Sequence, residues 1–410
     1  MAERTILVAG TYDTKSEELG YIVEVIRAQG GDVVSMDVSV LGDPPGRVDV
    51  SKHAVAEAGG SSIAAAVASG DENSAMQIMA RGAAAVALDL YRSGRIHGVI
   101  VLGGTMGTDL ALELCAALPV GVPKYVVSTV AFSPLLPPDR LAPDIQMILW
   151  AGGLYGLNPV CRASLSQAAG AVLGAARAVE APVSGRPLIG MTSFGKTVLR
   201  YMVTLKPALE ARGFDLAVFH ATGMGGRAFD ALAAQGAFAA VMDFAPQEVS
   251  NHLFGGLSAG ADRMTGAGRA GVPQIVAPGC YDLVDFVGWQ GVPRRLEGRP
   301  THAHNRLLSS AMLDAGERRE VARAICAKMA GARAPVAFVL PVQGCNEWDR
   351  PGADLHDAEG LAAFCDEMRA ACPANVALHE IDAHINDATF CDTVLRLFDG
   401  WLADGTLTRG

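Results

Sequence analysis

The sequence predicts an α/β protein made of two domains, each with a mainly parallel sheet and helices on both of its faces. Short runs rich in β-branched residues alternate with longer Ala- and Leu-rich amphipathic segments along the 410 residues. This alternation is the pattern of βαβ units. It is interrupted at residues 180–187 (EAPVSGRP), where two prolines and a glycine among small residues are typical of a linker. Because the same pattern then restarts, we expect two doubly wound, Rossmann-like domains at residues 1–182 and 187–410.

The predicted elements of each half follow in chain order. In the first half, strands are expected at residues 5–9, 32–38, 97–102, 124–128 and 145–150, and helices at 15–29, 72–93, 107–117 and 157–179. In the second half, strands are expected at 188–191, 216–220, 240–244, 274–277, 336–340 and 376–381, and helices at 196–212, 226–235, 304–314, 316–330, 358–371 and 387–403. Residues 279–301 show no regular pattern, and an irregular segment of that length is usually functional or disordered.

The composition favours a globular protein and disfavours two kinds of partner. Half of the residues are apolar and 19% are charged, which allows two sizeable cores. The net charge of −10, from 33 basic and 43 acidic residues, is the opposite of what nucleic-acid binding favours. We find no apolar run of the ~18 residues that a transmembrane helix needs, and no signal-peptide pattern at the N-terminus. The eight cysteines form no C-x-x-C pair, so we expect a cytoplasmic protein.

Two Gly- and Thr-rich loops in the first half are candidate ligand sites, because each follows a predicted strand and opens a helix. The first comprises Gly10, Thr11, Asp13, Thr14 and Lys15, in which a lysine stands at a helix N-terminus. Free N–H groups and the helix dipole favour anions there, whereas Asp13 suits either an N-cap or a metal–water ligand. The second loop carries three glycines and two threonines and has the composition of an anion nest: Gly103, Gly104, Thr105, Gly107 and Thr108. Close packing of helix on strand is the alternative explanation for its glycines.

Residues 190–197 (GMTSFGKT) fit the P-loop pattern G-x-x-x-x-G-K-[ST] letter for letter. A P-loop NTPase also needs an Asp at the end of a later strand to hold Mg²⁺, and Asp243 is a formal candidate. Chance matches are frequent in a chain with 47 glycines. We therefore expect the match to a P-loop NTPase to be fortuitous, while a simpler anion site at this segment stays open.

A set of histidines and an aspartate in the second half could bind a metal or catalyse a reaction. His302 and His304 are two residues apart, so in an extended segment they point the same way and could share an ion. Together with His384 and Asp387 they would form a nitrogen and oxygen site for Zn²⁺ or Mn²⁺. His384, Asp387 and His304 are also candidates for acid–base catalysis, although a single histidine is more often a satisfied structural residue.

Over nearly its whole length the chain resembles the Tm-1-like ATP-binding family, which is named for the N-terminal domain of a tomato mosaic virus resistance protein. The resemblance rests on several short segments: residues 10–15 with Glu18 and Leu19, 103–107, 190–197, 220–226, Gly255 and Gly256 with Asp262 and Arg263, 278–282, His304 with Asn305, and 384–387. It implies two α/β subdomains, ATP binding as in the plant relative, and a tendency to form homodimers.

The resemblance and the loops together favour a nucleotide-binding protein that holds ATP with Mg²⁺ on the Gly and Thr loops of the first domain. The second domain would face the same cleft and carry the following residues: His220, Arg263, His302, His304, His384 and Asp387. Two alternatives stay open. One is a metal-assisted hydrolase or lyase that acts on a small oxygenated acid, and the other is a non-catalytic regulatory binding protein.

Overall fold

The computed structural model describes residues 3–150, 152–179 and 185–409, with residues 198–200 described by their backbone alone. These residues form two compact units, one before and one after residues 180–184. In both units helices alternate with strands of a parallel sheet. The predicted α/β fold class with two parallel-sheet domains is therefore confirmed.

The first unit contains a five-stranded parallel sheet in the order β2-β1-β3-β4-β5. Its strands are β1 (Thr5–Gly10), β2 (Asp32–Asp37), β3 (Gly98–Gly103), β4 (Lys124–Ser128) and β5 (Ile145–Leu149). Its helices are α1 (Ser16–Ala28), α2 (Lys52–Ala58), α3 (Ile63–Ala68), α4 (Glu72–Arg92), α5 (Thr105–Ala117) and α6 (Pro159–Ala178).

Alternate side chains of the central strands enter two separate cores, one on each face of this sheet. In β1, Leu7 and Ala9 pack with α2, α4 and α5, whereas Ile6 and Val8 pack with α1 and α6. Successive residues of a strand point to opposite faces, and a strand buried on both sides is therefore apolar throughout. This explains why the sequence TILVA reads as a continuous apolar run and why the unit is doubly wound.

The second unit contains a six-stranded parallel sheet and a small three-stranded antiparallel sheet. The parallel sheet has the order β14-β13-β9-β8-β6-β7 and is built from β6 (Leu188–Ser193), β7 (Asp215–His220), β8 (Ala240–Asp243), β9 (Gln274–Val276), β13 (Val336–Pro341) and β14 (Val376–Ile381). The antiparallel sheet is built from β10 (Leu283–Val287), β11 (Thr301–Ala303) and β12 (Leu308–Met312). The helices are α7 (Gly195–Ala211), α8 (Met224–Ala234), α9 (Gln247–Phe254), α10 (Gly266–Ala270), α11 (Ala315–Ala330), α12 (Ala358–Ala371) and α13 (Ala388–Ala403).

The antiparallel sheet corrects two predictions for the second half. The helix expected at residues 304–314 is wrong, because residues 308–312 form β12. The segment 279–301, expected to be irregular, contributes β10 and the first residue of β11. Leu, Ala and Met favour a helix in isolation, but pairing of β12 with strands on both sides overrides that preference. Four short helices, α2, α3, α9 and α10, also went unpredicted because their patterns span few turns.

Candidate functional site

The sheet order of the first unit marks one crevice as the place for a ligand. From β1 the chain moves to β2 on one side of the sheet, and it then returns to β3 on the other side. The loops that leave β1 and β3 therefore separate at the carboxyl edge of the sheet. Ligands of open α/β sheets bind at such a topological switch point. These two loops are the Gly and Thr loops that the sequence singled out.

A cavity of about 660 Å³ lies at this switch point, which is within the size range of sites for small organic ligands. Most residues of the two predicted loops line it: Thr11, Asp13, Thr14, Lys15, Gly103, Gly104, Thr105 and Gly107. Two predicted residues do not line it. Gly10 packs against Leu19, where a Cβ atom would lie 2.9 Å from the leucine methyl groups. The Thr108 hydroxyl is buried and bonded to Gly104 O and Ser128 Oγ, both at 2.7 Å.

The glycines of the β3–α5 loop serve two different purposes. A Cβ atom at Gly103 would lie 2.6 Å from the Cα atom of Gly107, so Gly103 is needed for close packing of α5 on β3. A Cβ atom at Gly104 would meet nothing closer than Thr129 Oγ1 at 3.8 Å. Its φ of −73° is also open to other residues. Packing within the chain therefore explains Gly103, whereas the bare backbone at Gly104 leaves space in the cavity.

Helix α5 begins in this cavity without a cap. Gly104 is its N-cap residue and offers no side-chain hydrogen bond. The first intrahelical bond runs from Thr108 N to Gly104 O at 2.8 Å. The preceding N–H groups, those of Thr105, Met106 and Gly107, belong to residues that line the cavity. Because α5 has 13 residues, its N-terminus presents a positive dipole end and free donors to an anion.

The β1–α1 loop places Lys15 at the same cavity. Thr14 N and Lys15 N both donate to Thr11 O, which closes a turn. Lys15 Nζ lies 3.3 Å from Thr14 Oγ1, and the Thr11 and Thr14 hydroxyl oxygens are 3.1 Å apart. Lys15 is the N-cap residue of α1 and makes no side-chain cap bond. The ammonium group and the two hydroxyls are therefore positioned to bind an anionic, oxygen-rich group.

Asp13 ties the β1 loop to the segment after β2, although it also lines the cavity. Its Oδ1 lies 2.9 Å from Ser39 Oγ, and its Oδ2 accepts a hydrogen bond from Gly42 N at 3.1 Å. The segment held in this way contributes apolar wall to the cavity, and further wall comes from α3, α4 and α5. Sequence reasoning missed these wall residues: Val38, Val40, Leu41, Ala66, Val67, Ala75, Met76 and Met106. The signal that could have found the first three is the position of β2 next to β1.

The segment that matches the P-loop pattern does not form a P-loop. Gly190 lies inside β6, paired with Ala217 and with Val241. The strand runs to Ser193 and α7 begins at Gly195, so a single residue, Phe194, separates strand from helix. A phosphate-binding loop needs several consecutive backbone N–H groups that surround the ligand. The Thr197 hydroxyl, which would hold Mg²⁺, is buried and accepts from Glu347 N at 3.2 Å.

Asp243 and Arg263 form the centre of a buried ion network. Arg263 is 1% exposed and donates to Asp243 through Nη1 at 2.6 Å and Nη2 at 2.8 Å. Its Nε donates to Glu248 Oε2 at 2.6 Å, and Thr192 Oγ1 donates to Asp243 Oδ1 at 2.7 Å. Burial raises the pKa of Glu248 to about 7, although Arg263 acts in the opposite direction. Arg263 is therefore engaged in internal ion pairs, and Asp243 is not a free magnesium ligand.

His384 and Asp387 are held by structural partners. His384 is 0% exposed, its Nε2 lies 2.8 Å from Asp349 Oδ1, and its Nδ1 accepts from Asn386 N at 3.1 Å. A Cβ atom at Gly344 would lie 2.5 Å from the His384 ring. Asp387 Oδ1 accepts from Arg350 at 2.7 Å, and Asp387 Oδ2 accepts from His384 N at 3.0 Å. Burial acts to raise the pKa of Asp387, but these bonds outweigh it and the pKa is lowered.

The other three predicted histidines, His220, His302 and His304, lie together at the surface of the second unit. The ring centroids of His302 and His304 are 4.7 Å apart, and Trp348 is tilted against His302 and edge-on to His304. His304 also meets Phe194 edge-on. Burial, followed by the neighbouring His302 and His220, lowers the pKa of His304 to about 4. Burial likewise lowers the pKa of His302 and of His220.

These contacts correct the predicted metal set. Within residues 3–150, 152–179 and 185–409, no group of three or more His, Cys, Asp or Glu side chains is arranged to hold a metal ion. Both ring nitrogens of His384 are engaged, and Asp387 is paired with Arg350. His302 and His304 do come together, but His384 and Asp387 do not join them as a third and fourth ligand.

Comparison with known proteins places the chain in a family. Residues 4–181 match the model described as "Uncharacterised protein family (UPF0261) N-terminal domain", and residues 186–402 match that of the C-terminal domain. The chain belongs to the UPF0261 family. A UPF0261 protein of Brucella melitensis biotype 1 is 55% identical over 406 residues, which cover 99% of this chain and 97% of that protein. A UPF0261 protein of Clostridium tetani is 34% identical over 390 residues, 94% of this chain and 96% of that protein.

A more distant relative is the ToMV resistance protein Tm-1(GCR237) of Solanum lycopersicum. It is 30% identical over 314 residues, which cover 74% of this UPF0261 chain and 41% of the plant protein. Among solved structures, the S. aureus MnaA–UDP co-structure aligns with 98% of this chain and 97% of that chain, at 9% identity and a TM-score of 0.19. That score is too low to support an argument. Among the described helices of this chain, none is long and apolar enough to cross a membrane.

Proposed function

We propose that the first unit binds a nucleotide, and that ATP with Mg²⁺ is its ligand. The observation that carries this proposal is the meeting of both predicted loops at one cavity of about 660 Å³, at the switch point of the sheet. The uncapped N-terminus of α5 and the ammonium group of Lys15 offer the donors and positive charge that phosphate oxygens need. The apolar wall from the β2 loop and from α3 and α4 offers a surface for a base.

The resemblance to the Tm-1-like family supports ATP over other phosphate-bearing ligands. The cavity itself also contains Asp13, Asp71 and Glu72, so its lining has three acidic side chains and one basic one. A triphosphate would be repelled by this lining unless a divalent cation accompanied it. The proposal therefore includes the cation.

The test is calorimetric titration of the wild-type protein and of Lys15→Ala with ATP in the presence of Mg²⁺. Loss of a hydrogen bond to a charged group costs about 1.5–3 kcal/mol, which corresponds to an affinity roughly 10- to 150-fold weaker. Lys206→Ala is the matched control, because Lys206 pairs with Glu210 on the surface of the second unit. Equal ATP affinity in Lys15→Ala and the control would place the nucleotide elsewhere. Phosphate release under the same conditions separates an ATP-hydrolysing enzyme from a regulatory protein that only binds.

A second candidate function is acid–base chemistry on a small oxygenated acid at the histidine group of the second unit. His304 Nε2 lies 2.9 Å from Ser310 Oγ, and Ser310 Oγ donates to the buried carboxylate of Asp285. A hydroxyl has one proton, so Ser310 accepts from His304 Nε2–H and leaves Nδ1 with its lone pair. This arrangement supports a reaction without the metal of the original hydrolase or lyase hypothesis.

The second function is tested by measuring hydrogen–deuterium exchange at the carbon atom next to the carboxylate of a small acid. A panel of small hydroxy and keto acids is incubated with the protein in D₂O and followed by ¹H NMR. Loss of signal at one Cα position with the wild type, but not with His304→Gln, would support the function. Equal exchange with wild type and His304→Gln would exclude His304 as its base. His379→Gln, on β14, serves as the control histidine.

A further inference from the structure

At the carboxyl ends of β1 and β2, the carboxylates of Asp13 and Asp37 both contact one hydroxyl group, that of Ser39. Ser39 Oγ lies 2.5 Å from Asp37 Oδ1 and 2.9 Å from Asp13 Oδ1. Asp13 N donates to the same hydroxyl at 3.2 Å. A hydroxyl has one proton, so it can donate to one of the two carboxylates and not to both. In the other contact, the serine oxygen and a carboxylate oxygen face each other without a proton between them.

The carboxylate of Asp37 provides a second observation, because one of its buried oxygens lacks a partner in the part of the chain that the structure describes. The residue is 0% exposed, and its Oδ1 accepts from Tyr12 N at 3.2 Å and from Ser39 N at 3.0 Å. Its Oδ2 is buried and has no hydrogen-bond partner among the described residues. A buried carboxylate oxygen without a partner destabilises the folded state, because it has lost its hydration without gaining a hydrogen bond. This orphan oxygen belongs to the carboxylate that contacts Ser39, and Ser39 in turn contacts Asp13 at the cavity.

Among the described residues, the hydrogen bonds of the two nearby lysines, Lys15 and Lys52, go to groups other than Asp13 and Asp37. Lys52 Nζ pairs with Asp43 Oδ1 at 2.8 Å and donates to Gly42 O at 2.8 Å. Lys15 Nζ contacts Thr14 Oγ1. Within the part of the chain that the structure describes, neither lysine forms an ion pair with Asp13 or Asp37.

We propose that Asp13 and Asp37, with the Ser39 hydroxyl, bind one divalent cation of the Mg²⁺ class at the edge of the first-unit cavity. Carboxylate and hydroxyl oxygens are the ligands that such hard cations prefer. The cation supplies the positive charge that the two carboxylates lack, and it leaves the serine proton free to bond to one of them. The proposal deepens and rests on the nucleotide-binding proposal, because one of the two carboxylates, that of Asp13, lines the same cavity.

The test uses Mn²⁺ alone, without nucleotide, and follows free Mn²⁺ by electron paramagnetic resonance. We expect one Mn²⁺ per wild-type chain, displaced by excess Mg²⁺, and an affinity at least tenfold weaker in Asp13→Asn and in Asp37→Asn. Asp43→Asn is the matched control, since Asp43 is 85% exposed and pairs with Lys52 on the neighbouring loop. If burial of Asp37 makes Asp37→Asn unfold, Asp13→Asn still decides, because Asp13 is only partly buried.

Two outcomes would overturn the proposal. If the wild type leaves Mn²⁺ free at millimolar concentration, Asp13, Asp37 and Ser39 do not hold a divalent cation. If Asp13→Asn binds Mn²⁺ as tightly as Asp43→Asn, the ion lies elsewhere. A parallel titration with ATP in EDTA and in Mg²⁺ separates this proposal from the nucleotide proposal: Mn²⁺ binding without ATP binding in either buffer would refute nucleotide binding and leave the cation site standing.

Discussion

Gly103 and Gly104 are neighbours in one loop, yet a side chain at the first would collide with the backbone and a side chain at the second would enter open space. A Cβ atom at Gly103 lies 2.6 Å from Gly107 Cα, and a Cβ atom at Gly104 lies 3.8 Å from its closest contact, Thr129 Oγ1. The sequence left two explanations open for the glycines of this loop, a ligand site and close packing of helix on strand. Packing accounts for Gly103 and leaves Gly104 unexplained. A ligand that approaches the backbone accounts for Gly104.

The first prediction uses this pair. Gly104→Ala should leave the free energy of unfolding within about 0.5 kcal/mol of the wild type, because its φ and its surroundings accept a methyl group. The added methyl group would fill cavity space next to the N-terminus of α5, where we expect the phosphates to bind. It should therefore weaken ATP binding about tenfold, or ~1.4 kcal/mol. Urea unfolding and calorimetry measure the two effects.

Gly103→Ala and Gly107→Ala are the comparisons for this prediction. The first should destabilise the protein, because the added carbon would collide with backbone atoms of α5. The second lies in the helix, meets Leu102 O at an ordinary 3.5 Å, and should stabilise α5 by up to about 1 kcal/mol. Loss of stability in Gly104→Ala equal to that in Gly103→Ala would show that packing alone explains both glycines.

The second prediction concerns the segment that matches the P-loop pattern. Lys196→Ala should leave ATP affinity within about tenfold of the wild type, a change below ~1.4 kcal/mol. The reason is that β6 continues to Ser193 and only Phe194 precedes α7, so no phosphate-binding loop forms. Calorimetry on Lys196→Ala beside Lys15→Ala measures this. Loss of binding in Lys196→Ala with Lys15→Ala silent would reverse the assignment of the two loops.

The third prediction is that His384 stabilises the fold and holds no metal. His384→Ala removes the partner of Asp349 Oδ1 at a site that is 0% exposed. An unsatisfied buried carboxylate oxygen costs about 1–3 kcal/mol, and the cavity left by the ring adds to this loss. Urea unfolding should show the loss, while the zinc and manganese content of the purified protein stays that of the wild type. A lower metal content with unchanged stability would restore His384 as a ligand.

The fourth prediction concerns the pKa of His304. Its pKa is lowered to about 4 by burial and by His302 and His220, so its ring signals should titrate far below those of an exposed histidine in an NMR experiment. His302→Gln removes a neighbouring imidazole whose positive charge opposes protonation of His304, and the His304 pKa should rise in that variant.

The same pKa shift predicts a pH dependence of stability. Because the folded pKa of His304 lies below the unfolded value of about 6.5, the unfolded state binds more protons at pH values between the two. Stability should therefore fall as the pH falls through that window, by an amount reduced by solvent screening. A titration midpoint of His304 near pH 6.5 would contradict its partial burial beside His302 and His220.

Much of the fold could be predicted from the sequence because strands buried on both faces leave a strong local signal. The run TILVA in β1 is apolar at nearly every position, since Leu7 and Ala9 enter one core and Ile6 and Val8 the other. The antiparallel sheet gave no such signal. Its strand β12 has helix-forming residues, and its strand pairing with β10 and β11 depends on contacts up to 29 residues away, such as Leu283 with Met312.

The candidate site was predictable in part for a similar reason. Loops that follow strands of a parallel sheet lie at one edge, which is how Thr11, Lys15 and Gly104 could be grouped from the sequence alone. Burial is what the sequence did not reveal. In the sequence, His384 and Asp387 resemble a catalytic base and its acidic neighbour. In the structure, Asp349 is hydrogen-bonded to His384, and Arg350 is hydrogen-bonded to Asp387. Ser39 gave no signal at all, because its importance depends on two carboxylates that the fold brings to it.

The last prediction concerns Arg263, which the sequence assigned to a ligand-facing surface and which the structure buries among Asp230, Asp243 and Glu248. Arg263→Met keeps most of the side-chain volume and leaves three carboxylates without their cation. Removing one partner of a buried ion pair costs about 3–5 kcal/mol. Burial already raises the pKa of Glu248 to about 7 and that of Asp230 to about 6 with the arginine present. Without it both values rise further, so the folded variant binds protons that the unfolded chain releases, and its stability falls as the pH rises. Urea unfolding should therefore show a larger loss of stability at pH 8 than at pH 6.

Arg212→Met is the control, because Arg212 pairs with Asp399 at the surface, where such a pair contributes about 0–1 kcal/mol. A loss in Arg263→Met that is small, or equal at both pH values, would mean that these carboxylates are not held as an ionised group by Arg263.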